Sequence, residues 1–378
     1  MESYDWVVIG AGFTGAALGY ELVKKGFSVV LLEQNAVPDN ATRYSYGGLA
    51  FWSGNSSLTR QLCNEGKQRY GELLHELGDD IEYREIDLLL TIDASSDPNV
   101  VAESYSRFQT VPQLLCVEAA CELEPLLNKN AISGALTVKH GHIQPENTAQ
   151  AYIQAFLKNG GKILFTKVLD IQSLEVEYKN LAICAGGITR QLLNKSGIFL
   201  QQYFTHAEIL ETAPIDVKLS TLVMPAVLQR FGFEAKAGQD DEVWRHPGSE
   251  PEAAILDTGA VQFLDGSMRI GQISRTLTDP DAKVDAVESE KWLRNNIGQV
   301  LPCLSSVPAT WRHCLVAFSK DSLPLVGAVP EHDNIYIFSG FSNPLVYIPP
   351  LAYRFANWVA GQEDEIINQL SPNRFINF

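Results

Sequence analysis

The sequence is short of positive charge. Its 29 Lys and Arg stand against 45 Asp and Glu, a net charge of −16 over 378 residues. Such a chain repels nucleic-acid phosphates and anionic membrane surfaces, so neither is an expected partner. It also lacks an uninterrupted apolar run long enough to cross a bilayer. The opening residues, Met1 to Asp5, carry no basic region of the kind that begins a secretory signal, and a cytoplasmic location is the expectation. The six cysteines (Cys63, Cys116, Cys121, Cys184, Cys303 and Cys314) include no C-x-x-C pair. Free, mostly buried thiols are therefore expected, not disulfides or zinc ligands. His140 and His142 form one H-x-H pair with no second pair at metal spacing, so no metal site is expected. There is no internal repeat, heptad pattern, Ser-His-Asp arrangement, carboxylate pair or P-loop. What remains is a composition 46% hydrophobic and 20% charged, that of a globular protein with a large core. The length suits two domains or one large composite.

The stretch Trp6 to Gln34, WVVIGAGFTGAALGYELVKKGFSVVLLEQ, carries the strongest signal. Gly10, Gly12 and Gly15 have G-x-G-x-x-G spacing. They follow a buried-strand run (Trp6 to Ile9) and open a segment, Thr14 to Lys25, with helical apolar periodicity. Gly26 ends the helix, and Ser28 to Leu32 reads as a second buried strand. The glycines serve a tight turn, close backbone approach to a pyrophosphate, and close helix–strand packing. The helix N-terminus offers unpaired N–H groups to the phosphates. Glu33, at the end of the second strand, is placed to bind ribose hydroxyls. An adenine dinucleotide is the expected ligand.

Further elements follow in order. Ser56 to Leu77 reads as a long helix, Ile81 to Asp93 as a strand or hairpin, and Thr148 to Asn159 as an amphipathic helix. Gly160 to Gln172 reads as a strand pair, and NLAICAGGITRQLL as strand, small-residue turn (Ala185, Gly186, Gly187) and helix start. Ala260 to Arg275 alternates as one strand would. Near the end come a Pro-interrupted strand after Asp321, a strand from Asn334 to Phe338, and a helix from about Pro350 to Val359.

Four signals in this order (the glycine loop, TRYSYGG at Thr42 to Gly48, the AGG turn, and the D-x-L-P-x-V-G plus G-F-S block from Asp321) resemble the D-amino-acid oxidase superfamily. The likeness is to its glycine oxidase and monomeric sarcosine oxidase branch. It implies an α/β fold: a Rossmann-like FAD-binding domain (1–82, 141–200 and 308–378) with an inserted mixed-sheet α+β substrate domain (83–140 and 201–307). It implies FAD as cofactor and an enzyme that oxidises a C–N bond of a small amine or amino acid to an imine. Hydride goes to the flavin N5, and oxygen or another acceptor takes the electrons onward. A dehydrogenase of 2-hydroxy acids and a non-catalytic FAD-binding protein are the alternatives on the same fold. A tRNA-modifying role also occurs there, and the acidic charge speaks against it.

Carried over by position, the cofactor contacts are Gly10, Gly12, Phe13, Thr14, Gly15, Glu33 and Gln34, then Arg43, Ser45, Gly47, Gly48 and Leu49 near the pyrophosphate or ring. Val168 falls near the adenine, and Ala185 and Gly186 in the second turn. Gly340, Phe341, Asn343, Pro344 and Leu345 fall at the pyrimidine end, where Pro344 should stiffen a loop that departs from the family pattern. A substrate carboxylate needs a cation, and arginine binds it best. The G-x-R arginine of glycine oxidases is absent, replaced here by Cys314-Leu315-Val316. Arg60 matches the position of the sarcosine oxidase arginine and is either a carboxylate anchor or a helix-surface residue. Tyr347 replaces that family's assisting lysine. Tyr203, His206 and Gln272 are pocket candidates, and Arg269 and Arg275 are secondary anchors. Cys314 stands at the spacing from Asp321 where sarcosine oxidases bond flavin covalently. It forms that thioether or is a packed thiol, and its apolar neighbours favour non-covalent FAD.

Overall fold

A computed structural model describes residues 3–78 and 81–375 of the chain. Two sheets organise it. The first has six strands in the order Leu325–Ala328, Ile335–Ser339, Glu177–Ile183, Ser3–Ile9, Val29–Glu33 and Lys162–Phe165. Neighbours are parallel except the outer Leu325–Ala328, which runs antiparallel to Ile335–Ser339. The central strands are apolar where both faces are covered, at Trp6 to Ile9, Val29 to Leu32 and Leu181 to Ile183. Trp6, Val8 and Leu31 pack on one side with residues of the Phe13–Lys24, Pro145–Lys158 and Pro344–Val359 helices. Val7, Ile9, Val30 and Leu32 pack on the other with Ile171, Leu192 and Leu193.

The second sheet runs Thr310–Ser319, Gln202–Glu211, Met268–Arg275, Ile255–Gln262, Leu222–Pro225, Arg84–Asp93, Ile132–His142 and Gly48–Leu49, with Gln113–Leu115 also on Ile132–His142. It is mixed, since Leu222–Pro225 lies parallel to Arg84–Asp93 while its other pairings are antiparallel. Leu210, Ile270 and Ile273 bury one face against Leu293 and Ile297 of the Ala286–Val300 helix. The Thr310–Ser319 strand pairs with Gln202–Glu211 along its whole length.

Several local expectations change. The stretch from Ala260 is not one strand but a hairpin, Ile255–Gln262 and Met268–Arg275. Asp265 accepts the Ser267 N–H at 2.8 Å, and Gly266 takes φ +89°, so Asp-Gly turned the chain where alternation suggested continuity. From Gly160 onward there is one strand, Lys162–Phe165, followed by a 3-10 turn at Ile171–Ser173. The last long helix starts at Pro344 and contains Pro349 and Pro350. Pro344 occupies the first turn, where a missing N–H costs nothing. Pro349 cannot donate to the carbonyl four residues back, at Leu345. That carbonyl instead accepts the Tyr70 hydroxyl at 2.9 Å. The partner helix, Ser57–Leu77, crosses beside it at Gly66, where a Cβ would fall 2.5 Å from the Val346 carbonyl oxygen.

Candidate active site

The first turn of the Phe13–Lys24 helix is where the chain has shed its side chains. Gly10 has φ +99°, and a Cβ there would lie 2.5 Å from the Cys184 carbonyl oxygen. A Cβ at Gly15 would lie 1.9 Å from the carbonyl oxygen of Gly10. Gly12 is roomier, with Thr42 Oγ1 at 3.3 Å from a would-be Cβ. That hydroxyl accepts the Phe13 N–H at 2.9 Å. Gly12 supplies no side-chain cap. The Thr14 and Gly15 amides, which no helix satisfies from within, therefore face the loop with the positive end of the helix dipole. At the end of the second strand the Glu33 carboxylate accepts N–H groups from Ala11 at 2.8 Å and Asn35 at 3.0 Å. Val168 packs against the cluster that contains Leu32 and Ile171, while Gln34 is exposed.

Residues 40–49 lead from the first sheet to the second. Asn40 Oδ1 accepts the Thr42 and Arg43 amides at 3.0 and 3.2 Å, and Ser45 Oγ accepts the Gly47 N–H at 3.3 Å. Gly47 has φ +75°, and a Cβ there would sit 2.1 Å from the Ile143 carbonyl oxygen. At Gly48 it would meet His140 Nε2 at 2.5 Å. Leu49 is fully buried. The H-x-H pair thus braces this turn, which its sequence did not reveal. His142 Nε2 donates to the Tyr46 carbonyl at 3.0 Å, and His140 Nδ1 accepts from Trp52 Nε1 at 3.1 Å. Burial lowers His140 to about 4; burial with the nearby Arg84 and His140 lowers His142 to about 3. Among the described residues no group of three His, Cys, Asp or Glu gathers as metal ligands. The Tyr46 hydroxyl reaches across to the Gly271 and Gly259 carbonyls at 2.9 and 3.2 Å.

Two more turns approach the same ends of the first sheet's strands. Gly186 takes φ +56°, next to Ala185, and a Cβ at Gly187 would fall 2.3 Å from Leu315 Cβ. Gly340 takes φ +73°. Phe341 packs on Phe338 with ring centroids 5.0 Å apart. Asn343, ahead of Pro344 and Leu345, donates to the Ala50 carbonyl at 3.4 Å and Ser53 Oγ at 3.5 Å, tying this loop to the segment after Gly48.

The expected substrate residues are not gathered in one place. Arg60 is exposed, and its guanidinium donates to the backbone carbonyls of Arg107 at 3.0 Å and Gly54 at 3.4 Å. Tyr347 is buried in the helix core near Cys63 and Asn343, where burial raises its phenol. Tyr203 is buried in an aromatic cluster with Trp244 and Phe318, with Arg190 over its ring. His206 Nε2 donates to the Asp279 carbonyl at 3.1 Å. Arg275 is committed to the fully buried Glu208 at 2.7 Å. Arg269 pairs with Glu211 at 3.1 Å, and so does Arg312 at 3.0 Å. Arg43 lies 3.8 Å from Glu211 and 3.9 Å from Glu146. Each of these arginines has an acid that the linear sequence did not reveal.

Gln272 reaches the sheet face that carries Cys314. Register puts Thr205 opposite Val316, and Ala207 opposite Cys314 and beside Ser274. Directly paired residues share a face, so these five line one side of the sheet, and Gln272 Nε2 donates to Ser274 Oγ at 3.1 Å. Over this face lies a group that sequence reasoning missed. Thr205 Oγ1 donates to Glu234 at 2.8 Å, Arg230 Nε donates to the same carboxylate oxygen at 2.7 Å, and Asp257 accepts the Gln229 and Arg230 amides at 3.0 and 3.2 Å. The available signal was Arg230 and Glu234 one helical turn apart. Burial pushes the Cys314 thiol up to about 12, with Arg230 pulling against it and Asp39 adding to it.

A family model described as FAD dependent oxidoreductase matches residues 5–358. The chain is 22% identical to glycine oxidase of Geobacillus kaustophilus, over 92% of this chain and 90% of that one. It is 24% identical to human peroxisomal sarcosine oxidase, over 90% and 88%. The crystal structure of the Geobacillus kaustophilus glycine oxidase superposes with a TM-score of 0.80 at 19% identity, covering 100% of both chains.

Proposed function

Because the chain belongs to the family of FAD dependent oxidoreductases, we propose that it oxidises the C–N bond of a small amine or amino acid to an imine. The observation that supports this choice of bond is the similarity, along about nine-tenths of either chain, to enzymes named for glycine and sarcosine. When bound, FAD supplies the hydride acceptor, and oxygen or another acceptor takes the electrons onward.

The residues present fit that cofactor. Side chains at Gly10 and Gly15 would collide with backbone, as a loop shaped around a pyrophosphate requires. The amides of the first helical turn supply donors for its oxygens. Glu33 spends one oxygen on Ala11 and one on Asn35, and a carboxylate retains lone pairs for ribose hydroxyls. Residues 45–49 and 340–345 are the proposed flanks of the ring. The Cys314 face of the second sheet roofs it and keeps water from the reacting carbon. In this reading 1–82, 141–200 and 308–378 form the FAD-binding domain, and 83–140 and 201–307 form the substrate domain. The strand 310–319 joins the two, since it pairs into the second sheet.

An anaerobic screen of small amines, amino acids and 2-hydroxy acids against the FAD-loaded protein tests the reading through the flavin's visible band. Bleaching by amines or amino acids is expected. Bleaching by hydroxy acids alone would move the reaction to a C–O bond.

A further inference from the structure

Arg230 has the setting of a ligand-binding arginine. It opens the Arg230–Ala237 helix above the sheet face that carries Thr205, Ala207, Cys314, Val316 and Ser274. Two links fix that helix in place. At its start Asp257 accepts the Gln229 and Arg230 amides, and one turn on Thr205 donates to Glu234. Glu234 in turn takes the Arg230 Nε–H at 2.7 Å. The guanidinium is thereby held by its inner edge. Its two terminal nitrogens make no hydrogen bond to another side chain or carbonyl among the described residues. The side chain keeps 22% exposure, although the groups around it include the 2%-exposed Glu234 and the 8%-exposed Asp257. A guanidinium anchored at Nε, with its outer fork free near the Cys314 thiol, presents the geometry that meets a carboxylate with two parallel bonds.

The other arginines lack this combination. Arg60 gives its donors to two backbone carbonyls at an exposed helix start. Arg275 gives Nε to Glu208 and a terminal nitrogen to Ser289 Oγ at 3.5 Å, on the opposite side of the sheet. Arg312 is also held at Nε, but by a Glu211 that it shares with Arg269, and it is 39% exposed. We propose that Arg230 anchors a substrate carboxylate on the Cys314 face of the second sheet. The substrate class is then amino acids and N-substituted amino acids, not simple amines. The two neighbouring acids do not cancel this role. Glu234 balances the guanidinium and orients it, and Asp257 turns both its oxygens to backbone amides. The proposal takes its reaction from the C–N reading above, but the binding it asserts stands apart from that reaction.

The test uses the FAD-loaded protein with acetate and propionate as non-oxidisable probes and their amides as neutral controls. Saturable shifts of the visible band give the affinities. The carboxylates should bind and the amides should not. Arg230→Gln should weaken carboxylate binding roughly 10- to 100-fold, the loss of one charge-assisted fork, while Arg230→Lys falls between. Because Arg230→Gln strands the Glu234 charge, the Arg230→Gln/Glu234→Gln pair is measured beside it, with FAD content as the check on folding. Wild-type affinity in any Arg230 variant, equal binding of amides, or the same loss in Arg60→Gln would overturn the proposal. Arg230-dependent binding without bleaching by any amine would instead sink the C–N reading and leave the anchor standing. Bleaching by amino acids that is indifferent to Arg230 would do the reverse.

Discussion

The two sheets treat buried polarity in opposite ways. In the first, Val7, Val8, Leu31, Leu181 and Ile183 are all fully buried, and the polar work is left to backbone and the half-buried Glu33 at the strand ends. In the second, charge is built into the strands. Glu208 is fully buried between Arg275 Nε at 2.7 Å and Trp311 Nε1 at 3.0 Å. Glu211, three residues on, is met by Arg269, Arg312 and Arg43. A cofactor held by its phosphates can be gripped by amides, which every residue owns. A small polar substrate has to be told from others by side chains, and buried charged side chains need partners to stay in place.

The largest break in this comparison should come from Glu208. Glu208→Ala leaves Arg275 beside an emptied buried site, and losing one partner of a buried pair costs about 3–5 kcal/mol. The Glu208→Gln/Arg275→Met pair, which removes both charges, should recover most of that. Denaturant unfolding of the three proteins checks it. A cost below about 1 kcal/mol for the single variant would mean the second sheet does not depend on its charges.

Acid should strike at the junction of the two sheets. His140 and His142, behind Gly48 and Gly47, stay neutral in the fold down to about 4 and about 3, whereas an unfolded histidine titrates near 6.5. Below that value the unfolded chain takes up protons that the folded chain refuses, so stability is whole above about pH 6.5 and falls as pH drops. Each histidine costs about 1.4 kcal/mol per pH unit across its window. The pair should therefore cost about 2–3 kcal/mol between pH 6 and pH 5. His206, lowered by burial as well, adds in the same direction. Urea unfolding across this range, with His140→Gln and His142→Gln for comparison, should show a shallower slope in the variants. An unchanged slope would mean the turn tolerates charged imidazoles.

Within the glycine loop the structure sets an order. Gly15→Ala puts a methyl 1.9 Å from the Gly10 carbonyl oxygen, while Gly12→Ala meets nothing closer than the Thr42 hydroxyl at 3.3 Å. Overpacking of the first kind costs about 1–3 kcal/mol and should empty the protein of FAD. The second should cost less stability and still crowd the phosphates. Flavin stoichiometry after gel filtration separates them, and full FAD retention by Gly15→Ala would contradict the close approach seen here.

The cradle was legible in the sequence because its requirements are local. Gly10, Gly12, Gly15 and Glu33 lie within one strand–helix–strand unit, and at Gly10 and Gly15 the neighbouring backbone leaves no room for a Cβ. The second sheet was not, because its information sits in pairs such as Thr205 with Glu234 and Arg43 with Glu211, far apart in the chain. Periodicity finds a strand but not the acid that a distant strand will bring to it. Tyr203 and Tyr347 show the same limit. Both are in or beside chemically suggestive segments, yet both are buried among apolar groups. The hairpin at Asp265-Gly266 is hidden for a different reason, since its turn signal lies inside a run whose alternation reads as one strand.

The smallest expected effect is at Cys314, and it asks whether the second sheet holds the cofactor by a bond. The residue sits at the spacing from Asp321 that would suit a thioether, and Arg230 lies near enough to favour a thiolate. Burial outweighs that pull and holds the thiol up to about 12, and a neutral thiol is a poor nucleophile. We therefore expect FAD to be held without a covalent bond. Acid precipitation should leave the flavin in the supernatant. Cys314→Ser should change stability by less than about 1 kcal/mol and leave FAD content as it was. Flavin that stays with the precipitated chain, and is released by Cys314→Ser, would show that the two sheets share the cofactor covalently after all.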